Sequence, residues 1–215
     1  MINKLFVAAA IGAAALGAQA SSNLLPAGDF EAAAGFLPPG ASYCYDVAVP
    51  AGNPTCGATT GVVTGWKGEV YLQASSGPWG DPGSQPNAVG LGGMVAGIQG
   101  QGTLASDFVF TPGQTYDITW VDAGRNYGGS QSYTVTGGGV TDVTTFTTSA
   151  TGWTAHSFEF TAASGTGLVF QGLSAEDRTS FIDNVVVVAV PEPAAMLMMA
   201  AGALGLLAWR RRPQA

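Results

Sequence analysis

The most restrictive feature of the chain is a two-residue alternation of apolar and polar side chains through its central part. Tyr116, Ile118 and Trp120 alternate with Asp117 and Thr119. Because successive side chains of a strand point to opposite faces, this pattern predicts a half-buried β-strand. The central part has no segment with convincing helical periodicity. The sequence therefore predicts an all-β domain.

Short apolar runs separated by Gly and Pro turns indicate roughly eight to ten strands in this region. Phe108–Phe110 is expected to form a hairpin with the 116–120 strand across the turn at Thr111–Gly113. The β-branched run within Phe181–Val188 is typical of a central strand that is buried on both faces. Many short strands separated by such turns predict a two-sheet sandwich of the jelly-roll type.

The last 26 residues have three consecutive parts: a Pro-Glu-Pro handle, sixteen uncharged apolar residues, and three arginines close to the chain end. As a helix the apolar part would extend about 24 Å at about 1.5 Å per residue, short of the roughly 30 Å hydrocarbon core of a bilayer. A short span suits presentation to a membrane protease better than permanent anchorage. The parts are Pro191, Glu192 and Pro193, then 194–209, then Arg210, Arg211 and Arg212.

Handle, span and basic tail together resemble the PEP-CTERM signal that exosortase-type transpeptidases of Gram-negative bacteria recognise. The resemblance covers residues 190–215. It implies transient insertion in the inner membrane and delivery to the cell envelope, the cell surface or the extracellular matrix, with an exosortase-type enzyme as partner. An ordinary tail anchor is the alternative.

The N-terminus has the three parts of a secretory signal peptide. Lys4 supplies the positive charge, Leu5–Leu16 the apolar region, and Ala18-Gln19-Ala20 the cleavage site. Residues 1–20 are therefore predicted to be removed, which leaves a β-sandwich domain at 21–189 followed by the sorting signal.

Charge excludes one large class of partner. Between residues 21 and 190 the only cations are Lys67, Arg125 and Arg178, against thirteen carboxylates, which gives a formal charge of −10. Proteins that bind nucleic acid depend on clustered Lys and Arg to neutralise phosphates. Nucleic acid is therefore not an expected partner.

The chain has two cysteines, Cys44 and Cys56. An exported chain reaches an oxidising compartment, so we expect them to form a disulfide that closes a Pro- and Gly-rich loop. A metal site would need further Cys or His ligands, and His156 is the only histidine.

Five short motifs follow one another along the domain: Asn23–Glu31, Gly65-Trp66, Asp81–Gln85 leading to Val89–Gly93, Pro112–Tyr116 and Phe181–Val185. Their order resembles that of the galactose-binding-like jelly rolls, which include many carbohydrate-binding modules. The sequence departs from that pattern at Pro26-Ala27 and in the cysteine loop. The resemblance implies a jelly-roll fold and a binding function.

The same resemblance implies a structural calcium ion near the junction of the first and last strands. Glu31 and Asp183 would supply ligands, with Asp29 as a third. Carboxylate and carbonyl oxygens are the ligands that Ca²⁺ takes, and Gly28 would allow a close backbone approach there. The alternative is that Asp29 and Asp183 accept backbone hydrogen bonds in turns.

Sugar binding needs an exposed aromatic ring with polar groups beside it. Trp79 lies in a turn-rich polar loop, and Tyr127 lies beside Arg125 and Asn126. These four are the candidate ligand-binding residues, with simple loop packing as the alternative. The tryptophans in strand patterns are predicted to be core residues; they are Trp66, Trp120 and Trp153.

The sequence does not predict an enzyme. His156 shares a strand face with Phe158 and Phe160, which favours a partly buried histidine over a general base. The expected function is glycan binding or the building of an exopolysaccharide or biofilm matrix. A purely structural or adhesive matrix protein is one alternative. A glycoside hydrolase is another, for which the carboxylate pair Glu176-Asp177 would be the candidate, although a solvated turn explains that pair more simply.

Overall fold

The computed structural model describes residues 22–46, 52–57, 62–73, 93–125, 131–140 and 144–191. Within these residues a 3₁₀ helix, Glu31–Phe36, precedes eleven β-strands. The strands are β1 (Tyr43–Tyr45), β2 (Trp66–Lys67), β3 (Val70–Gln73), β4 (Met94–Gln99), β5 (Thr103–Ser106), β6 (Thr115–Gly124), β7 (Ser132–Thr136), β8 (Thr144–Thr147), β9 (Thr154–Thr161), β10 (Val169–Gly172) and β11 (Thr179–Ala189).

The strands form two antiparallel sheets. The six-stranded sheet has the order β1-β3-β4-β11-β6-β9, and the five-stranded sheet has the order β2-β5-β10-β7-β8. From β4 to β11 the chain crosses between the sheets at every connection except that between β7 and β8, which are neighbours in one sheet. As a result, β4-β11-β6-β9 faces β5-β10-β7-β8, which is the connectivity of a jelly roll. The predicted all-β, two-sheet jelly-roll class is confirmed.

Strand β11 is the central strand that its β-branched sequence predicts. It pairs with β4 on one side and with β6 on the other. Its side chains are buried on both faces, as Phe181 and Ile182 show with 0% exposure each. A bulge interrupts the ladder between Asp183 and Val186, where Asn184 has a φ of 51°.

The predicted hairpin between Phe108–Phe110 and the next strand is wrong. Strand β6 pairs with β11 and β9, and the preceding segment carries the chain from the five-stranded sheet to the six-stranded one. Phe110 is buried, with its ring centroid 4.9 Å from that of Tyr116, whereas Val109 is 65% exposed. The alternation here reflects the packing of Phe108 and Phe110 on the core rather than a ladder of backbone hydrogen bonds.

The main core lies between the sheets and is rich in aromatic rings. Trp66 and Trp120 are 2% and 1% exposed, as predicted from their strand patterns. Inside this core the Trp120 indole N–H donates to the Tyr133 hydroxyl at 2.7 Å, and that hydroxyl donates to Asp122 Oδ2 at 2.6 Å. Burial, followed by the nearby Asp122 carboxylate, raises the pKa of Tyr133 far above its ordinary value. The hydroxyl is therefore a fixed hydrogen-bond bridge between two core side chains.

The two outer faces of the sandwich differ in composition. The outer face of the six-stranded sheet carries a second buried apolar cluster, which contains the third predicted core tryptophan: Tyr45, Val70, Leu72, Val95, Val121, Ala123, Trp153 and Phe181. By strand alternation, the outer face of the five-stranded sheet carries mostly Thr, Ser and Gln on its strands β5, β10, β7 and β8, with Lys67 on the edge strand β2. We call it the hydroxyl face; its residues are Thr103, Ala105, Ser132, Thr134, Thr136, Thr145, Thr147, Val169 and Gln171.

The two ends of the sandwich are defined by β11. The exit end is the end of the sandwich at which β11 finishes. It comprises residues 108–114, 137–140, 161–167 and 190–191. We call the opposite end, where β11 begins, the pocket end. There β6 finishes, β7 begins, and residues 173–178 connect β10 to β11.

The predicted disulfide is present. Cys44 and Cys56 are bonded, with their Cα atoms 4.9 Å apart, and both are buried. The Tyr45 N–H donates to Pro54 O and the Cys56 N–H to Tyr45 O, each at 2.9 Å. The cross-link therefore attaches the segment after β1 to the edge of the six-stranded sheet.

Candidate ligand-binding site at the pocket end

A shallow pocket of about 220 Å³ opens at the pocket end. It lies where the start of β7 meets the connection from β10 to β11. Its lining combines an amide, two hydroxyls, an apolar side chain and a guanidinium; the residues are Gln131, Ser132, Leu173, Ser174 and Arg178. Leu173 is 46% exposed, which makes it one of the few large apolar side chains on the described surface.

Arg125 holds the connection that forms one wall of the pocket. Its guanidinium lies 3.2 Å from Asp177 Oδ1, and a second nitrogen donates to Asp177 Oδ2 and to the Asp177 main-chain oxygen. The Arg125 side chain is only 7% exposed, and the Asp177 side chain is 73% exposed. The arginine predicted as a ligand contact therefore sits beneath the pocket wall, where it fixes the loop.

Gln131 fixes the opposite wall by joining the two sheets. Its Nε2 donates to Ile98 O and to Gly100 O, at 3.2 Å in each case, while its backbone pairs with Thr148. The Oε1 atom is buried and has no hydrogen-bond partner among the described residues. Gln131 is 1% exposed, so the inner lining of the pocket is held in place from within the sandwich.

Gly172 is required by the close packing under the pocket. A Cβ at this position would lie 2.2 Å from Gly100 O and 2.7 Å from Gln131 Nε2. No side chain fits there unless the backbone moves. The tight approach keeps the wall at residues 173–178 close to the one at residues 131–132.

The hydroxyl face leads directly to this pocket. Ser132, a lining residue, shares a hydrogen bond of 2.8 Å between its Oγ and Thr147 Oγ1. One pleat further from the pocket, a row crosses four strands; it consists of Thr145, Thr134, Gln171 and Thr103. No carboxylate belongs to the hydroxyl face. Pocket and face together form one polar surface, whose charged side chains include the Arg178 guanidinium at the pocket rim and Lys67 on the edge strand β2.

The structure tests the predicted sugar-contact residues only in part. Trp79, Asn126 and Tyr127 lie outside the described residues, and their contact with a ligand stays a prediction. Asn126 and Tyr127 directly follow Arg125, so they belong by sequence to the connection that leads to Gln131. The lining residues were not predicted. They come from two connections about 40 positions apart, and none of them belongs to a local motif.

The carboxylate pair considered for glycoside hydrolysis is engaged by arginines. Glu176 Oε2 accepts from Arg178 Nη2 at 2.6 Å, and Asp177 contacts Arg125. Both carboxylates belong to the exposed loop predicted for them, and each is paired with a cation. This arrangement fits a role in shaping the loop.

The predicted calcium ligands have other partners. Glu31 Oε1 accepts the Met94 N–H at 2.9 Å, and Asp183 Oδ1 accepts the Asn184 N–H at 2.6 Å. Asp29 is exposed. In the part of the chain that the structure describes, no three His, Cys, Asp or Glu side chains converge as a metal site. The calcium ion held by Glu31, Asp183 and Asp29 stays a prediction.

The expected close approach at Gly28 is present. Gly28 O accepts the Val185 N–H at 2.8 Å, and a Cβ on Gly28 would lie 2.0 Å from Val185 O. Nearby, the Leu24 N–H donates to Val187 O at 2.8 Å, and Asn23 Oδ1 accepts the Val187 N–H at 2.9 Å. The N-terminal segment is thus held against the bulged half of β11.

His156 is partly buried, as its strand pattern predicts. Its side chain is 16% exposed, and its ring stacks on Trp120 with centroids 5.3 Å apart. Nε2 lies 3.0 Å from Asp122 Oδ2, the same oxygen that accepts from Tyr133. His156 thus belongs to the polar network of the core.

The membrane-related predictions concern segments outside the described residues. These are the signal peptide at 1–20 and the apolar span at 194–209. Among the helices that the structure describes, none is long and apolar enough to cross a membrane.

Comparison with known protein families settles the nature of the C-terminus. Residues 189–212 match the PEP-CTERM protein-sorting motif. The chain carries a PEP-CTERM sorting motif. The predicted resemblance is therefore confirmed, and the motif marks an exported surface protein that is processed at the membrane. No curated protein shows significant similarity to the chain.

Several solved structures similar to the chain are carbohydrate-binding modules. The CBM22-1 xylan-binding domain of Paenibacillus barcinonensis Xyn10C is 12% identical, with 60% of this chain and 84% of that one covered and a TM-score of 0.39. The N-terminal cellulose-binding domain of Cellulomonas fimi β-1,4-glucanase C is 15% identical over 46% and 80% of the two chains, with a TM-score of 0.33.

A third similar structure is an adhesin domain. The K3 cleaved adhesin domain of Lys-gingipain from Porphyromonas gingivalis w83 is 18% identical, with a TM-score of 0.36 and coverage of 58% of this chain and 92% of that one.

Proposed function

We propose that the domain binds neutral glycan at the pocket end after export, at the cell surface or in the extracellular polysaccharide matrix of a Gram-negative bacterium. An exosortase-type membrane transpeptidase would process the PEP-CTERM signal. The observation that carries the proposal is the pocket lined by Gln131, Ser132, Leu173, Ser174 and Arg178.

The pocket has the chemistry that a sugar unit requires. The Ser132 and Ser174 hydroxyls and the Arg178 guanidinium provide donors and acceptors for sugar hydroxyls, each hydrogen bond contributing about 0.5–1.5 kcal/mol net. Leu173 offers an exposed apolar contact for the C–H face of a pyranose. Pockets for drug-sized ligands measure about 300–1,000 Å³, so this smaller one suits a single sugar unit or branch.

Charge favours a neutral glycan over an acidic one. The domain has a formal charge of −10, and the arginines near the pocket are already paired, Arg178 with Glu176 and Arg125 with Asp177. An acidic polysaccharide would be repelled by the net negative field without finding an uncompensated cation in return. The hydroxyl face offers a neutral polymer further hydrogen bonds without that repulsion.

The predicted aromatic residues complete the proposal. Tyr127 and Asn126 lie between Arg125, which fixes one wall, and Gln131, which fixes the other. A tyrosine ring in this connection would supply the stacking platform that the lining residues lack.

Calorimetry of the full chain in detergent against a panel of neutral and acidic polysaccharides tests the proposal. Leu173→Ala should weaken binding of a neutral glycan, whereas Leu24→Ala, which alters an exposed leucine outside the pocket, should not. Tyr127→Ala should also weaken binding. Absence of binding across the panel, or equal loss with both leucine variants, would contradict the proposal.

A second candidate is a structural or adhesive role in the matrix, and the hydroxyl face supports it. Four strands present Thr145, Thr134, Gln171 and Thr103 in one row, a flat surface suited to lateral contacts. If this role is correct, the combined change Thr134→Glu and Thr145→Glu should release the protein from isolated matrix. Leu173→Ala should leave the amount of matrix-bound protein unchanged. The opposite pattern would favour the pocket.

A further inference from the structure

The last strand continues into the sorting motif without a linker. Ala189, the first residue of the motif match, is paired with Tyr116 in the ladder between β11 and β6. The Val190 N–H then donates to Thr115 O at 2.9 Å, and Val190 O accepts from Gln114 Nε2 at 2.7 Å. The sandwich therefore holds the chain up to the residue before the Pro-Glu-Pro handle.

The reach of the next residues is short. The apolar segment begins at Ala194, four residues beyond Val190. Four residues span at most about 14 Å in any conformation, at about 3.3–3.6 Å each. A bilayer of about 40–45 Å has a hydrocarbon core of about 30 Å, which leaves about 5–8 Å of headgroups on each side. With the apolar segment in the hydrocarbon, Val190 at the exit end must lie within about 6–9 Å of the headgroup surface.

The exit end has a surface that tolerates this position. Its described residues, 108–114, 137–140, 161–167 and 190–191, include no Asp, Glu, Lys, Arg or His. Val109 is 65% exposed there, and Thr111, Pro112 and Ala163 are exposed as well. Asp142, in the connection from β7 to β8, and Glu192, directly after Pro191, lie outside the described residues.

Among the described residues, charged side chains begin just beyond these turns. Lys67 and Asp107 form a pair, with 3.4 Å between Nζ and Oδ1. Asp117 and Glu159 lie opposite each other across β6 and β9, two residues from the exit end of these strands. The pocket end, by contrast, carries Glu69, Glu176, Asp177 and both arginines of the domain. Headgroup layers that contain anionic lipid repel carboxylates over about one Debye length, roughly 8–10 Å. An acidic domain on a short tether is therefore least repelled with its exit end towards the lipid.

We propose that the exit end rests on the lipid headgroup surface for as long as the sorting signal stays in the membrane. The short connection from Val190 to Ala194 holds it there, and the uncharged turns make the contact. Strand β11 then points away from the bilayer, so that its first residue, Thr179, lies about 36 Å further out at about 3.3 Å per residue. The pocket end faces away from the membrane before processing.

Site-specific fluorescence quenching tests this orientation on the full chain, reconstituted in vesicles of phosphatidylethanolamine and phosphatidylglycerol with a quencher on a fraction of the headgroups. Ala163→Cys at the exit end and Gln101→Cys at the pocket end supply the labels, both at exposed positions. The native cysteines are bonded and buried, so they do not take the label. We expect loss of fluorescence at 163 and none at 101; equal quenching at both positions would overturn the proposal.

A second variant separates the tether from general adsorption to lipid. Ten Gly and Ser residues inserted between Val190 and Pro191 lengthen the connection and should restore much of the fluorescence at 163. Unchanged quenching would contradict a tether-held contact. Circular dichroism shows whether each variant is folded. No glycan is present in either experiment, so its outcome is independent of the proposed binding function.

Discussion

The two ends of the sandwich are built from the same strands but carry opposite chemistry. At the exit end, the described turns around Val190 carry no charged residue, and the sorting motif continues from there. At the pocket end, two arginine–carboxylate pairs and the Gln131 amide fix loops around a polar pocket. Because β11 runs from one end to the other, a single strand separates the membrane-directed function of the chain from its proposed binding function.

This comparison shows how the two ends of one jelly roll can have different functions. The ladders and the aromatic core make a rigid body, and the connections at each end are then free to differ. The proposed contact with the lipid surface needs an uncharged surface and a short connection to the membrane segment. Glycan recognition needs fixed polar groups and an accessible apolar contact. Each set of requirements is met at a different end.

The largest expected effect comes from the disulfide, which lies between the two ends. The combined change Cys44→Ser and Cys56→Ser should lower the free energy of unfolding by about 2–4 kcal/mol, because the reduced chain gains loop entropy when unfolded. Urea denaturation measures the loss. If the sandwich is one cooperative unit, labels at both ends should report the same midpoint; separate transitions would show that the ends unfold independently.

The next largest effect should be specific to the pocket end. Gly172→Ala places a Cβ against Gly100 O and Gln131 Nε2, and such overpacking costs about 1–3 kcal/mol. Glycan affinity should fall with it, since both pocket walls adjoin this contact. Gly152→Ala is the matched control because nothing lies within 4 Å of its added Cβ. A stable Gly172→Ala protein with full affinity would contradict this description of the pocket.

The sequence predicted those parts of the fold that depend on local alternation. Trp66 and Trp120 are in the core, β11 is central, and Cys44 pairs with Cys56. In each case the signal is local: the alternation or β-branched run of one short segment, or the redox chemistry of two nearby cysteines. The hairpin predicted from the alternation at Phe108–Phe110 is wrong. A segment that crosses from one sheet to the other can alternate buried and exposed side chains without backbone pairing to a neighbouring strand.

The pocket could not be predicted in the same way. Gln131 lines the pocket because its side-chain amide donates hydrogen bonds to Ile98 O and Gly100 O. Leu173 lines it because the close packing at Gly172 brings the 173–178 connection near Gln131. These contacts depend on the pairing of strands distant in sequence. Arg125 lies beside the pocket, but the charge that suggested a ligand contact is used instead to hold Asp177.

Calcium would act between the two ends, at the middle of β11. If Glu31, Asp183 and Asp29 hold the ion, calcium at ten times its Kd should stabilise the fold by about 1.4 kcal/mol. Chelator should therefore lower the Tm at neutral pH. Asp29→Ala, which removes the side-chain oxygens at this position, should reduce the difference between chelator and calcium. An unchanged Tm in the wild-type chain would contradict the calcium site.

The smallest expected effect is a pH dependence at the pocket end. Burial raises the pKa of Glu69 above its ordinary value of 4.5, although a hydrogen bond from the Gln99 N–H opposes this shift. A raised folded-state pKa of a carboxyl group favours folding below about pH 4.5, and this contribution disappears as the pH rises through the folded value. Relative to Glu69→Gln, the wild-type protein should therefore lose stability between pH 4.5 and neutrality. A constant difference in unfolding free energy across that range would contradict the shift.

The most direct test of the account combines both ends in one preparation. The full chain, held in vesicles by its own sorting signal, is titrated with the neutral glycan that binds best in detergent, and the Leu173→Ala and Leu24→Ala variants are compared. We predict that the vesicle-bound chain keeps its affinity, that Leu173→Ala loses it, and that Leu24→Ala does not. Loss of binding on insertion of the unaltered chain into vesicles would contradict the outward orientation of the pocket end.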